Sequence, residues 1–160
     1  MGTLPQLIEE DIQLLDGELR TLLKESDATT AAVIDKGGFL ITTQGDDRDF
    51  DWTTIAALAS GAYLANQTIA NLVHETNFNS VYQQGERMSM FVMCIDEFVL
   101  LTVIFPAQVS VGAVKYYALG TLSVIAQQLQ VAQVRAPGEG FDLSVLNIAN
   151  TADIFRKKQA

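Results

Sequence analysis

The sequence is short of the residues that most enzyme chemistry needs. Its 160 residues hold one cysteine and one histidine. A single cysteine, Cys94, excludes an internal disulfide, and its place in the apolar run "MFVMCI" predicts a buried, inert thiol. A single histidine, His74, excludes a paired-histidine metal site. It is followed by Glu75, but the position where a zinc-protease signature has its second histidine is Phe78. No Ser/His/Asp triad centres on it, and no metal is expected. Phosphate-binding motifs are missing as well, since neither GxxxxGK[ST] nor GxGxxG occurs. The pair Gly37-Gly38 is followed by "FLITT", a strand pattern, so no helix N-terminus points at these glycines. They read as the turn of a hairpin, and no cofactor is expected.

Positive charge is scarce too. Ten basic residues stand against 19 acidic ones, a formal charge of −9, which argues against a nucleic-acid-binding surface. The start, "MGTLPQLIEEDIQ", has neither a basic region nor an apolar core of signal-peptide type, so a cytoplasmic location is expected. The longest apolar window, Met88 to Phe105, carries Asp96 and Glu97 near its middle. Two acids at bilayer depth would cost several kcal/mol, roughly 2.5–3.5 for an aspartate, so the window predicts two strands joined by an acidic turn and no membrane insertion. The sequon Asn66-Gln67-Thr68 falls inside a helical pattern and is discounted.

What is present is apolar patterning. With 49% hydrophobic residues and three prolines the chain can bury a core of one ordinary domain. Ile8, Ile12, Leu15, Leu19 and Leu22 recur at helical spacing and predict a helix over about 4–25. "TTAAVI" and "FLITT", joined by Asp35-Lys36-Gly37-Gly38, predict a hairpin. A second helix follows, with Asp51 as N-cap and an inward stripe of Ile55, Leu58, Ala62, Ala65, Ile69 and Leu72. "NSVYQQGER" reads as a short strand and turn, and the Met88–Phe105 hairpin comes next, closed by Pro106. Ser110 is placed to cap a last helix whose inward stripe is Val111, Val114, Ala118, Leu122, Ile125 and Leu129. The order is α-β-β-α-β-β-β-α, an α+β fold with a five-stranded antiparallel sheet and helices against it. "RAPGEGF" breaks the last helix. The expected organisation is a domain over 1–134, a linker over 135–141 and a C-terminal segment over 142–160.

The second helix is unusual on its outer side. Opposite the expected stripe lie Ala56, Ala57, Ser60, Gly61, Leu64, Gln67, Thr68 and Asn71, and no charge occurs from Trp52 to Val73. A solvated helix face carries lysine and glutamate. Small uncharged residues let another surface come close, so this face is expected to meet a protein partner. Gly61 fits that expectation, because glycine inside a helix costs about 1 kcal/mol against alanine.

In their joint order these residues resemble the Roadblock/LC7 domain, and within it the MglB-type bacterial members. The resemblance rests on the hairpin "VIDKGGFLITTQG", the alanine-rich uncharged central helix, the strand "FVLLTVIF" and the helix "SVGAVKYYALGTL". "MGT" at the start, Asp35-Lys36 with Gly38, Leu40-Ile41, Gly45, Asp51, Leu58, Gly61, "VIF" at 103–105 and Ser110 with Gly112 also stand where the family pattern has them. It spans about residues 5–130.

The resemblance implies a homodimer whose central helices lie side by side on a joined sheet as a platform for a Ras-like small GTPase of MglA type. It implies GTPase-activating action on the GTP-bound partner in bacterial cell polarity and motility. The catalytic arginine then comes from the GTPase, so Arg48 and Arg87 are expected to be solvated and not fingers. The chain would be a regulator without an active site of its own. Expected contacts are Ala57, Ser60, Gly61, Leu64, Gln67, Thr68 and Asn71, with the C-terminal segment reaching the GTPase through Ile148, Ile154 and Phe155. That segment ends Arg156-Lys157-Lys158, where the family's is acidic. The alternatives are a Roadblock scaffold or adaptor without activating ability, and a ligand-sensing module of PAS or profilin-like build, which requires an interior pocket with convergent polar groups.

Overall fold

The central strands show little polar alternation because both faces of the sheet are covered there. A computed structural model describes residues 3–135. In chain order it contains α1 (Glu9–Ser26), β1 (Thr30–Asp35), β2 (Leu40–Gly45), α2 (Trp52–Leu72), β3 (Ser80–Gln83), β4 (Met88–Cys94), β5 (Val99–Pro106) and α3 (Val111–Val134). This is the expected order, and the five strands form an antiparallel sheet in the order β2-β1-β5-β4-β3.

Successive residues of β1 feed two separate cores, as the two-residue period of a strand requires. Ala31 and Val33 pack with Leu15, Leu19 and Leu22 of α1 and with Val114, Ala118 and Ile125 of α3. Ala32 and Ile34 point the other way, to Trp52, Ala56, Ala59 and Tyr63 of α2. The sheet is therefore sandwiched, with α1 and α3 on one face and α2 alone on the other. β5, the central strand, is buried from Val99 through Phe105.

The Asp35–Gly38 turn is backbone geometry. The Asp35 N–H donates to the Phe39 carbonyl (2.8 Å), and the Asp35 carboxylate accepts from the Gly37 N–H. Gly38 has φ +96°, and a Cβ there would lie 3.3 Å from the Ala57 Cα, so the hairpin tip presses directly on α2.

α1 begins at Glu9, later than the expected residue 4. The Asp11 carboxylate accepts the Ile8 N–H at 2.9 Å and fixes the start there, while Leu4 and Leu7 pack on the core from outside the helix. Asp11 itself is fully buried, on a face where the sequence pattern placed Ile8 and Ile12. It survives there because its other partners come from α3. Arg135 donates to it through both terminal nitrogens at 2.8 and 2.9 Å, and the Gln128 amide donates at 2.6 Å. The Arg135 guanidinium, foremost, holds the Asp11 pKa down to about 2 against the opposing effect of burial.

Ser110 occupies the N-cap of α3 without a capping hydrogen bond from its side chain. α3 ends at Val134, and Arg135 is the last described residue. The rest of the expected linker and the segment 142–160, with Ile148, Ile154 and Phe155, lie outside the described residues. Among the described residues no helix is long and apolar enough to cross a membrane.

Candidate functional site

α2 carries the candidate surface, and its start is set as the sequence implies. The Asp51 carboxylate accepts the Thr54 N–H at 3.2 Å and the Thr54 hydroxyl at 2.6 Å, and these bonds lower its pKa. From Trp52 to Leu72 the helix has no charged residue.

Its rotation differs from the expectation. Buried positions are Trp52, Ala56, Ala59, Ser60, Tyr63 and Ala70. The expected inward stripe faces outward for most of its length: Leu58 is 68% exposed, Ile69 55% and Leu72 74%. At 100° per residue the helix is turned by roughly a third of a turn from the expected setting. The cause is close packing. Ala56, Ala59 and Ser60 let the helix settle low on Ala32, Ile34 and Leu100, while the Tyr63 and Trp52 rings fill the space at either side. The Tyr63 ring meets that of Phe78 at a tilt of 39°, with centroids 5.0 Å apart, and burial, with a smaller effect of Cys94, raises its pKa.

Of the expected contact residues, Ala57, Gly61, Leu64, Thr68 and Asn71 are exposed and Gln67 is half-buried. Ser60 is not part of the surface. It is 2% exposed and its hydroxyl donates to the Lys36 carbonyl, which ties α2 to the first hairpin. The sequence reading missed Leu58, Ile69 and Leu72, since a helix apolar all round offers no polar face to fix its rotation.

The exposed part of α2 thus has two flanks. One, with Ala57, Gly61, Leu64, Thr68 and Asn71, is small and uncharged, and it borders the first hairpin at Ala57. The other, with Leu58, Ala62, Ala65, Ile69 and Leu72, is aliphatic. It borders an apolar groove of about 550 Å³ lined by Phe50, Ile55, Leu58, Ala62, Met88 and Met90. β3 forms the sheet edge on that side, bonded to β4 alone. Covering Leu58, Ile69 and Leu72 would contribute roughly 1–2 kcal/mol each. The exposed surface of α2 carries no charged side chain, and its apolar area is suited to excluding water against another protein.

The remaining candidates lie apart. Arg48 is exposed and held in a bidentate pair with Asp46 (2.9 Å). Arg87 and His74 are exposed in turns. Cys94 is half-buried, and its thiol donates to the Asp96 carbonyl at 3.1 Å. Among the described residues no three of His, Cys, Asp and Glu cluster as a metal site.

Comparison with known proteins returns one family model and a set of solved structures. The family model described as Roadblock/LC7 domain matches residues 15–105. Among solved structures, Myxococcus xanthus MglB superposes with a TM-score of 0.75 at 23% identity, over 82% of this chain and 99% of that one. The gliding protein MglB from Thermus thermophilus gives 0.74 at 25% identity with the same coverages, 82% and 99%. A Roadblock/LC7 domain from Streptomyces avermitilis gives 0.66 at 19% identity, over 72% and 97%. No curated protein matches the sequence.

Proposed function

The chain belongs to the Roadblock/LC7 domain family, and from that premise we propose that it is a homodimeric regulator that stimulates GTP hydrolysis by a Ras-like small GTPase of MglA type. The similarity to MglB structures supports this partner class. The observation that carries the reading is the uncharged exposed surface of α2, 21 residues long, lying alone on one face of the sheet. Its two flanks divide the work. The aliphatic flank, Leu58, Ile69 and Leu72 beside the β3 edge, meets the second copy. The small flank, Ala57, Gly61, Leu64, Thr68 and Asn71, takes the GTP-bound GTPase, and Gln67 lies at its margin.

On this reading the protein supplies no catalytic group. It acts by holding the GTPase's switch segments in a hydrolysis-competent arrangement, so that groups of the GTPase itself stabilise the transferring phosphoryl group. Its setting is the cytoplasm, in bacterial cell polarity and motility.

Thr68→Arg tests the assignment. Thr68 is exposed, and its hydroxyl merely donates back to the Leu64 carbonyl at 3.1 Å, so the fold tolerates the change. A bulky charge on a surface that must lose water removes binding. Single-turnover GTP hydrolysis by the partner should lose its acceleration, with the circular dichroism spectrum and melting temperature unchanged. Stimulation at the wild-type rate by this variant would overturn the assignment. Wild-type binding without any acceleration of hydrolysis would favour the scaffold reading instead.

A further inference from the structure

The small flank of α2 is uncharged, but one cation stands at its edge. On that side of the helix Ala57 and Ser60 touch the tip of the first hairpin. The Ser60 hydroxyl donates to the Lys36 carbonyl, and a Cβ on Gly38 would lie 3.3 Å from the Ala57 Cα. Leu64 follows Ser60 by one turn, so Lys36 borders the flank near its middle. The Lys36 side chain turns towards the helix. Its Nζ lies over the Tyr63 ring, 5.7 Å from the centroid, and Tyr63 itself is buried under α2. The backbone is fixed as well, because the Lys36 N–H donates to the Phe98 carbonyl at 2.8 Å.

Among the described residues no carboxylate pairs with this ammonium; the ion pairs there are Arg48 with Asp46 and Arg135 with Asp11. The acids of the two turns at this end of the sheet are committed elsewhere or stand apart. The Asp35 carboxylate accepts the Gly37 N–H, and that of Asp96 accepts the N–H groups of Phe98 and Val99 at 2.8 and 2.9 Å. Glu97 is exposed and is in neither of those ion pairs. Lys36 is half-buried, so its charge has already lost part of its water. Covering it with an apolar partner surface would leave a desolvated cation unpaired, which is strongly unfavourable. A carboxylate brought to the same place removes that penalty and adds a short-range attraction.

We infer that Lys36 is the charge-reading contact of the small flank: when the GTPase docks there, a carboxylate of its surface pairs with the Lys36 ammonium beside Tyr63, while Ala57, Gly61 and Leu64 take apolar contact. This rests on the GTPase reading and adds to it a requirement on the partner, an aspartate or glutamate next to an apolar docking patch. The Tyr63 ring holds the ammonium in place before the partner arrives, so little side-chain freedom is lost in the pairing. The pair also selects. A GTPase with lysine or arginine at that place meets like charge on a surface that is losing water, and is rejected.

The probe is an MglA-type GTPase loaded with a non-hydrolysable GTP analogue, and calorimetric titration at low and high salt reads its affinity for the full chain. Lys36→Met keeps an apolar stem over Tyr63 and removes the charge. It should weaken binding about tenfold at low salt and flatten the salt dependence, whereas Lys36→Arg should bind within about threefold of wild type. Lys36→Glu should abolish binding, and changing one aspartate or glutamate of the GTPase to lysine should restore it. The bonds to Ser60 and Phe98 use the Lys36 backbone, so these variants keep the fold. Wild-type affinity and salt dependence in Lys36→Met would overturn the inference, as would failure of every acid-to-lysine exchange to rescue Lys36→Glu. Thr68→Arg separates it from the reading beneath. Binding lost in Thr68→Arg but unchanged in Lys36→Met sinks the charge pair and leaves the GTPase surface standing, while absence of binding by the wild type sinks both.

Discussion

Replacing the fully buried Asp11 by asparagine removes one charge from the clasp that joins the N-terminus of α1 to the C-terminus of α3. The structure sets the size of the effect. A carboxyl held at about 2 instead of its ordinary 3.8 is stabilised as the carboxylate by about 2 kcal/mol. The folded value lies below the unfolded one, so this stabilisation is complete at neutral pH and drains away as pH falls from about 5 towards 2. Asp11→Asn should therefore unfold about 2–3 kcal/mol more easily than wild type at pH 7. The gap stays near 2 and not larger, because Arg135 retains a route to solvent at 17% side-chain exposure. At pH 3 the gap should shrink, and near pH 2 most of it should be gone. Asp46 and Asp51 also titrate low, but they do so equally in both proteins and cancel. The assay is urea denaturation followed by circular dichroism at pH 7, 5, 4 and 3, at one protomer concentration so that association does not enter the comparison. Equal stability at pH 7, or a gap that is the same at pH 3 as at pH 7, would refute the reasoning.

Two further substitutions separate fold from surface. Gly45 has φ +106°, and a Cβ there would strike the Thr29 carbonyl and lie 2.9 Å from the Thr30 Cα, so Gly45→Ala should cost about 2 kcal/mol or more in the same denaturation assay. Ser60→Val should cost about 1–2 kcal/mol by stranding the Lys36 carbonyl, yet leave GTPase affinity within about twofold in a pull-down or calorimetric titration, because the residue is buried and cannot touch a partner.

Element order and strand identity were readable from the sequence, because each strand and helix carries its own periodicity and the turns carry Gly37-Gly38, Asp51 and Pro106. Two things were not. The rotation of α2 escaped because Leu58 and Ile69 look like core by size, while the sheet accepts Ala56, Ala59 and Ser60 for their smallness. The burial of Asp11 escaped because its partners, Gln128 and Arg135, are more than a hundred residues away in the chain. Periodicity reports local amphipathy. It carries no information on which distant residue will neutralise a buried charge, or on how low a helix sits on its sheet.

The placement of β5 between β1 and β4 has a consequence for how the chain is made. β1 ends at Asp35 and its second partner begins only at Val99, so roughly 60 residues must leave the ribosome before that edge is paired. At about 5–20 residues per second this leaves the run Ala31-Ala32-Val33-Ile34, fully buried in the finished fold, with one open edge for several seconds. The β1–β2 hairpin closes the other edge early, through a turn that needs no distant partner. This border of β1 therefore stays unpaired while α2, β3 and β4 are made, and chaperone occupancy during translation should peak between the emergence of β2 and that of β5.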